Sequence, residues 1–492
     1  MANITLYRGL ITRASVYVAL MLVAACSAVG PNYQKPRASV ADNWKEATAG
    51  NKGALQLSEK WWEAFSDAKL SELEQDALKG NYSLQAATAR IQQARAVARA
   101  TDADFFPTVN FDPDASRNRQ SANRPVQPGS TVRDYTANRF RVPLDASYEI
   151  DFWGKMKRAS ESAVARAQAA QNAYQTIALS LTGDVAQNYF AIRTLDAERA
   201  ILRDNIVVRK RGLELVRSRY RGGITSELDV TRAEAELAAI EAESIGIGRR
   251  RAELENAIAV LLGKSATEFK LAESPLATTV PTIPAGVPSE LLQRRPDVAE
   301  AERLLAARNA EIGVAKAAFF PTIRLTGQAG FESADLTDIL KLSSRIWTAG
   351  IALVLPVFEG GRNKANLERV KAVYAENLAQ YHGRVLVAFQ EVETALAGLR
   401  ILAEQSEPQS RAVTSAQKSS QISNSRYKAG LVTYLEVVDT ERTVLANQRL
   451  AIQLAGQRLL NSVGLIKALG GGWQNGKIVS ADVIKVAESP QK

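Results

Sequence analysis

The chain has 492 residues, of which 46% are hydrophobic and 23% are charged, a balance that excludes wholesale disorder and permits a sizeable core. Its formal net charge is +10, but lysines and arginines are interspersed with acids and no basic run with interleaved aromatics occurs, which argues against a nucleic-acid-binding protein. Only 16 prolines are present, and they cluster, so very long uninterrupted stretches indicate one elongated body.

The N-terminal residues are typical of a secretory leader that ends in a lipidation site. Arg8 and Arg13 precede a mostly apolar run over 14–25, which is too short to span a bilayer as a helix. The run ends in Val-Ala-Ala-Cys at 23–26, which resembles the lipobox of bacterial lipoproteins. Cys26 is the only cysteine, so it cannot form an internal disulfide. We expect a signal peptide over 1–25 and a covalent lipid on Cys26.

Two halves of the chain match each other at an offset of 207 residues. The clearest match aligns residues 219–230, RYRGGITSELDV, with residues 426–437, RYKAGLVTYLEV. Upstream, the Phe-Phe-Pro-Thr at 105–108 matches the same four residues at 319–322, and FWGK at 152–155 matches FEGG at 358–361. The order of segments is therefore the same in both halves.

Each half begins with a helix and continues into strands. Residues 84–102 and 298–318 are rich in Ala, Arg, Gln and Glu, and each stretch ends at a Phe-Phe-Pro, which cannot continue a helix. Period-two alternation then predicts strands over 140–150, 322–332 and 347–355, with a weaker one near 109–122. The first of these runs has a lipid-facing candidate set: Phe140, Val142, Leu144 and Tyr148.

Proline-free stretches over 155–274 and 360–407 predict long helices. Apolar positions recur there at spacings of three and four, and they lie at the same seam in both halves, which indicates coiled-coil packing. A helix over 156–218 would be roughly 95 Å long, more than a compact domain needs. Gly222, Gly223 and Gly430 are expected to break these helices and return the chain antiparallel, because glycine adopts the positive φ of a tight reversal.

The strands bear on the oligomeric state. Their alternation fits a soluble sandwich as well as a membrane sheet with lipid on one face and water on the other. A membrane barrel needs at least about eight strands to leave no unpaired edge in lipid, and one chain supplies four. On the membrane interpretation, several copies share one barrel, and the coiled helices continue as a hollow bundle into the periplasm.

Several motifs together resemble the TolC-like outer membrane factors, specifically the lipoprotein branch that serves RND-type multidrug pumps. The resemblance covers nearly the whole mature chain. It rests on the lipobox, the paired Phe-Phe-Pro signals, the two turn motifs, LLQRRPD at 291–297 and KALGGGW at 467–473.

This resemblance implies an α+β membrane channel, namely a homotrimer with a twelve-stranded β-barrel, four strands per chain, that continues into a long periplasmic α-helical barrel with a mixed equatorial domain. It implies an outer membrane exit channel of a tripartite efflux pump, conducting drugs or other small toxic solutes. The implied partners are a periplasmic adaptor (membrane fusion) protein, an inner membrane RND transporter and outer membrane lipid. The expected divisions are 1–25 for the signal peptide, 26–83 for the lipid-anchored and equatorial segment, 84–280 and 281–470 for the two repeats, and 471–492 for an equatorial tail.

The resemblance also assigns roles to the helix ends. It places Gly222, Gly223 and Gly430 at the periplasmic tip, where the adaptor docks. It places four residues at the tip constriction, which would act as the periplasmic gate: Leu435, Glu436, Asp439 and Arg442.

Without the family match, Glu436, Asp439 and Arg442 would form a solvated helix face with an internal salt bridge. With it, threefold symmetry turns each carboxylate into a ring of three, and such rings select and retard ions. Leu435 would plug the same level, and Arg442 would tie helices together by pairing with an acid of its own or a neighbouring chain. Arg232 is the first-half counterpart of Asp439, so only the second hairpin is expected to gate. Replacing Asp439 or Arg442 by Ala should loosen the resting channel.

The residues give little support for an enzyme. His382 is the only histidine, and no nucleophile motif, phosphate loop or metal-ligand cluster occurs, so no cofactor beyond the lipid is expected. Two rivals stay open. One is a periplasmic bridging or adaptor lipoprotein without a pore. The other is a channel for metal export or protein secretion, of which metal export is disfavoured because Met156 is the only methionine of the mature chain.

Overall fold

The computed structural model describes residues 28–37, 42–46, 58–121, 123, 135–276 and 280–473. The predicted signal peptide, the predicted lipidation site at Cys26 and residues 474–492 of the predicted tail lie outside these ranges.

The helices follow the internal repeat. In the described part of the chain they are α1 (Ala68–Gly80), α2 (Tyr82–Asp102), α3 (Lys155–Arg221), α4 (Glu227–Leu261), α5 (Pro288–Arg294), α6 (Pro296–Ala317), α7 (Arg362–Lys428) and α8 (Tyr434–Ala468). The long helices α3 and α7 have 67 residues each, and α4 and α8 have 35 each. Both long hairpins begin and end at equivalent positions, so the repeat seen in the sequence is a repeat of structure.

Local chemistry accounts for several helix ends. The Asp67 side chain accepts hydrogen bonds from the amides of Lys69 and Leu70 at 2.9 and 3.0 Å and caps α1. Helix α6 starts at Pro296, where a missing N–H costs nothing. One expectation was incomplete: α7 continues through Pro408 to its end at Lys428. Proline removes one backbone donor and crowds one turn, and the turns on either side keep their own hydrogen bonds.

By contacts the chain divides into two compact units, and each takes segments from both repeats. Of the described residues, the first unit takes those within 28–36, 92–169 and 302–380, and it contains the sheet. Its strands are β1 (Thr108–Phe111), β2 (Asp114–Gln120), β3 (Tyr135–Ile150), β4 (Thr322–Ser333) and β5 (Arg345–Val354). Both β1 and β2 pair with β3, so they form two pieces of one interrupted strand. The sheet therefore has four antiparallel strand positions, as predicted.

The register separates an apolar face from a polar one. Phe140, Val142, Leu144 and Tyr148 alternate along β3 and lie on one face, where Val142 is opposite Phe331 and Tyr148 is opposite Leu325. That this face contacts lipid stays a prediction. On the opposite face, charged side chains pair across strands. Arg139 contacts Asp114 at 3.1 Å and Arg141 contacts Glu332 at 3.7 Å. Glu149 of β3 pairs instead with Lys155, the first residue of α3, at 3.1 Å.

Of the described residues, the second unit takes those within 37–91, 170–301 and 381–473, and it contains the main hydrophobic core. The predicted coiled seam is buried there: Val185 and Ile192 on α3, and Ala388 and Val392 on α7, are each 0% exposed. The N-terminal segments add tryptophans to this core. Trp44 packs against Phe389 at a ring distance of 5.9 Å, and the Trp61 Nε1 donates to the Thr182 hydroxyl at 3.3 Å.

A buried ionic network fastens the segment that follows α4. The Asp196 carboxylate accepts from Arg193 at 2.9 Å and from Arg251 at 2.7 Å. The same two guanidinium groups donate to the carbonyls of Ala272 and Leu271. The Asp196–Arg251 ion pair joins α3 and α4 directly, and the same charged groups also hold the segment that contains residues 271–274.

No described helix combines the length and hydropathy needed to cross a membrane.

Candidate gate at the ends of the helical hairpins

Each long hairpin reverses through a short glycine-containing turn. Gly223 (φ 72°) and Gly430 (φ 76°) are in the left-handed region. After them, the Ile224 amide donates to the Arg219 carbonyl at 2.9 Å, and the Leu431 amide donates to the Arg426 carbonyl at 3.0 Å, as in a glycine-terminated helix. The expectation of positive φ was wrong for Gly222, whose amide simply continues the helix by donating to Ser218 at 3.1 Å.

The two hairpin ends are joined by a small core and one arginine. Leu213, Val216, Ala233, Tyr427, Tyr434, Val437 and Val438 form this end cluster. Arg219 donates to the carbonyls of Tyr427 and Lys428, both at 2.9 Å, and its guanidinium lies 4.4 Å from the Tyr427 ring centre. Arg219 therefore caps α7 while belonging to α3. Sequence reasoning missed this role, although a basic residue in the last turn of a helix was a usable signal.

The four predicted gate residues lie in the first turns of α8. Leu435 is 44% exposed, and Asp439 and Arg442 are exposed on the same stripe of the helix, whereas Val437 and Val438 are buried in the end cluster. Glu436 is half-buried and lies 4.0 Å from Arg426 of α7. The structure thus brings the four residues to one helix end but gives Glu436 a partner of its own.

Arg442 does not form the internal salt bridge considered from the sequence. Its Nη2 donates instead to the Glu236 carboxylate of α4, and the Arg209 guanidinium of α3 donates to the other oxygen of the same carboxylate. Glu236 has a side chain only 14% exposed, while Arg442 is 61% exposed. One carboxylate therefore connects α3, α4 and α8, within one chain.

The electrostatics keep this connection charged. Burial raises the pKa of Glu236, but the hydrogen bonds from Arg442 and Arg209 outweigh burial and hold the pKa below its usual value. The pKa of Arg442 is raised because Glu236 accepts its hydrogen bond. A second connection of the same kind lies farther along α8, where Arg449 pairs with Glu243 of α4.

The two hairpins differ in the chemistry of their seams. In the first, Leu202 of α3 and Ile240 of α4 belong to an apolar cluster and are 0% and 3% exposed. Their counterparts in the second are Gln409 and Asn447, and the Gln409 amide donates to the Asn447 side chain at 3.1 Å. Glu441 also lies in the second seam, 3.4 Å from Asn424, and burial raises the pKa of its carboxyl. At these positions the second hairpin has a polar contact where the first has an apolar one.

The described residues contain no group of His, Cys, Asp and Glu side chains placed to hold a metal ion. His382 lies on α7, 5.5 Å from the ring of Tyr381.

The family model described as "Outer membrane efflux protein" matches residues 73–264 and 287–471. The chain belongs to that family. Outer membrane protein OprJ of Pseudomonas aeruginosa is 33% identical over 466 residues, which cover 94% of this chain and 96% of OprJ. Cation efflux system protein CusC of Escherichia coli (strain K12) is 33% identical over 467 residues, which cover 92% of this chain and 98% of CusC. CusC is thus named for cation efflux, and the family model for efflux at the outer membrane.

Solved structures give the same result for the fold. The outer-membrane channel OprN superposes with a TM-score of 0.86 at 30% identity, covering 91% of this chain and 99% of OprN. The open state of the MtrE outer membrane channel of Neisseria gonorrhoeae gives 0.80 at 29% identity, covering 91% and 99%. The predicted fold class, the α+β trimeric channel of the outer membrane factors, is confirmed. The bridging or adaptor lipoprotein is excluded as an alternative.

Proposed function

We propose that this chain is the outer membrane exit channel of a tripartite efflux pump and passively conducts small toxic solutes from periplasm to exterior. The observation that carries this proposal is the match of more than nine-tenths of the chain to outer membrane efflux components and to channel structures. A channel catalyses no reaction, so the chain needs no catalytic group.

The sheet supplies the reason for assembly. In the described part of one chain, β1 with β2 forms one edge and β5 forms the other. An unpaired edge in lipid is expensive because no water satisfies its N–H and C=O groups. Three copies joined edge to edge would close a twelve-stranded barrel.

The polar face of the sheet suits a water-filled lumen with little ion preference. The Arg139–Asp114 and Arg141–Glu332 pairs place opposite charges side by side on it. Paired charges in water attract passing ions only weakly. Selection and gating are therefore assigned to the hairpin ends, where Leu435, Glu436, Asp439 and Arg442 lie.

The gate is proposed to rest closed through the Glu236 connection and to open when α8 moves away from α4. Docking of the adaptor at the turns around Gly222, Gly223 and Gly430 would supply the free energy for that movement. The inner membrane RND transporter would then deliver solute into the tunnel.

The exported solute differs among relatives of similar sequence. Relatives at 32–34% identity are named for cation, solvent and pyoverdine export. Since similar chains are named for such different solutes, substrate choice is assigned to the transporter partner. The covalent lipid on Cys26 is proposed as an additional anchor.

A change of leader tests whether the mature chain is held in the outer membrane by spanning it. The signal peptide and Cys26 are replaced by a cleavable leader without a lipobox, fused before Ser27. We expect the unlipidated protein to stay in the outer membrane fraction through alkaline carbonate washing. A protein held by lipid alone, fused in the same way, serves as control and should be released. Release of this chain into the soluble periplasmic fraction would refute a membrane-spanning channel.

A further inference from the structure

The apolar face of the sheet is bounded by different types of residue at the two ends of its strands. At the end distant from the helices, the apolar run on each strand stops at a polar residue on the same face. These residues are Arg117 on β2, Asn138 on β3, Ser333 on β4 and Arg345 on β5. Two of the four positions are arginine.

The strand register fixes which face these arginines share. Ala115 of β2 is opposite Phe140, Arg117 is opposite Asn138, and Arg119 is opposite Thr136. Directly opposed residues of an antiparallel pair project to the same face, and alternate residues of a strand share a face. Arg117 and Arg119 therefore lie on the face of Phe140 and not on the polar face.

Arg345 reaches the same boundary from the other edge of the sheet. It is opposite Phe331, which is opposite Val142. The next residues of β5 on this face are strongly exposed and apolar: Trp347 is 79% exposed, Ile351 73% and Leu353 66%. Arg345 is thus the polar end of a long apolar column.

The dimensions place the arginines at a membrane interface. Ten residue steps separate Phe140 from Ile150, which is about 34 Å along an extended strand. At a tilt of about 40° this run rises roughly 26 Å, close to the apolar band of an outer membrane barrel. Arg117, Arg119 and Arg345 lie at or just beyond that band.

Two of the three arginines, Arg117 and Arg345, are available for an external partner. Arg117 and Arg345 form no ion pair with any residue that the structure describes, and the Arg345 Nε donates only to the Leu342 carbonyl at 3.0 Å. In the adjoining β4–β5 connection, Lys341 already pairs with Asp338 at 2.6 Å, and Asp335 is an exposed acid. By contrast, Arg139 on the polar face is paired with Asp114.

At the other end of the strands, the flanking residues are aromatic instead. Trp153 stacks on Phe320 at 4.5 Å, and its Nε1 donates to the Pro321 carbonyl at 2.7 Å. Phe106, just before β1, is 70% exposed, and Phe358, just after β5, is 89% exposed. Aromatic rings suit a neutral or mixed headgroup region, whereas arginine suits phosphate, which it binds through two parallel N–H donors.

We propose that Arg117, Arg119 and Arg345 form an arginine rim that binds the phosphate groups of a glycolipid in the outer leaflet. This inference rests on the proposed function, because it needs the apolar face to be in the membrane. The rim fixes the depth of the barrel and favours an outer leaflet rich in phosphate over a zwitterionic one.

The test uses purified full-length trimers in detergent and two probes, bisphosphorylated lipid A and the same lipid after enzymatic removal of its phosphates. Retained lipid is counted by native mass spectrometry. The rim variant is the triple Arg117→Gln, Arg119→Gln and Arg345→Gln. The matched control is Arg139→Gln, which removes one arginine from the opposite face of the same strand region.

We expect wild-type protein and Arg139→Gln to retain the phosphorylated probe in preference to the dephosphorylated one. The rim variant, which lacks three arginines, should retain roughly a hundredfold less of that probe, which is about fivefold for each arginine. Equal retention of the two probes by the wild type would overturn the proposal without any variant. Equal losses in the control and the rim variant would overturn it as well.

Planar bilayer recordings from the same preparations separate the two ideas. Conducting trimers that do not discriminate between the probes contradict only the arginine rim. Wild-type trimers that do not conduct contradict the proposed channel itself.

Discussion

Single side chains decide which helices are connected at the hairpin ends. Glu236 receives Arg209 from α3 and Arg442 from α8, so its loss would leave two arginines without their shared carboxylate. The sequence predicted that Arg442 would pair with an acid, in its own chain or a neighbour. It could not identify Glu236, because the partner lies 206 residues away and only the folded repeat brings α4 beside α8.

Glu74 illustrates a residue for which sequence gives no warning. It belongs to α1, is 0% exposed, and neither carboxyl oxygen has a hydrogen-bond partner among the described residues. Burial raises the pKa of Glu74 to about 9. The folded protein therefore holds this carboxyl protonated at neutral pH, whereas the unfolded chain ionises it.

This shift predicts a pH dependence of stability. Because the pKa of Glu74 is higher in the folded protein than in the unfolded chain, its contribution to the free energy of unfolding is fully present below about pH 4.5. That contribution is lost as the pH rises toward 9, at about 1.4 kcal/mol per pH unit and per chain. Glu74→Gln does not titrate, so its thermal midpoint should fall less than that of the wild type between about pH 5 and pH 8. The control is Glu72→Gln, an exposed residue of the same helix that pairs with Lys69. Identical pH profiles for wild type and Glu74→Gln would contradict this assignment.

Helices and strands were largely predictable because their periods are strong. The expected helices over 84–102 and 298–318 correspond to α2 and α6 within two residues, and the three strong alternating runs correspond to β3, β4 and β5. The first strand was the hardest to predict from the alternation of apolar and polar residues. The weak first strand is interrupted between Phe111 and Asp114, at a position that includes Pro113, which has no N–H to donate.

Two adjacent glycines in the turn between α3 and α4 allow a test of whether a left-handed glycine stabilises this hairpin end. Gly223 has a positive φ and open space around its position, while Gly222 has an ordinary helical amide bond. A left-handed alanine costs roughly 1–2 kcal/mol, so Gly223→Ala should accelerate amide hydrogen exchange over residues 219–231 by about five- to thirtyfold. Gly222→Ala is the matched control and should leave exchange there nearly unchanged. Comparable exchange in both variants would mean that the left-handed glycine does not stabilise this hairpin end.

At the scale of the whole molecule, the sequence predicted the repeat, the channel fold and the membership of its family. It could not predict that each repeat divides between two compact units. The division falls inside continuous helices, because α3 and α7 each have residues in both units, and no break in the sequence marks it. The offset of 207 already pairs Leu202 with Gln409 and Ile240 with Asn447, but only the folded hairpins show that these residues lie in the seams and make the two seams unequal. That inequality supports assigning movement to the second hairpin.

Single-channel conductance in planar bilayers, with the trimer mass determined on the same preparation, tests the central claim most directly. We expect steady, low-conductance openings for the wild type. Arg442→Ala should raise the conductance or the open fraction, because it frees α8 from Glu236. Arg411→Ala removes an arginine whose only described ion pair is an exposed one with Glu407, and it should behave as the wild type does. Correctly folded trimers that never conduct, with either arginine replaced or neither, would contradict a gated exit channel.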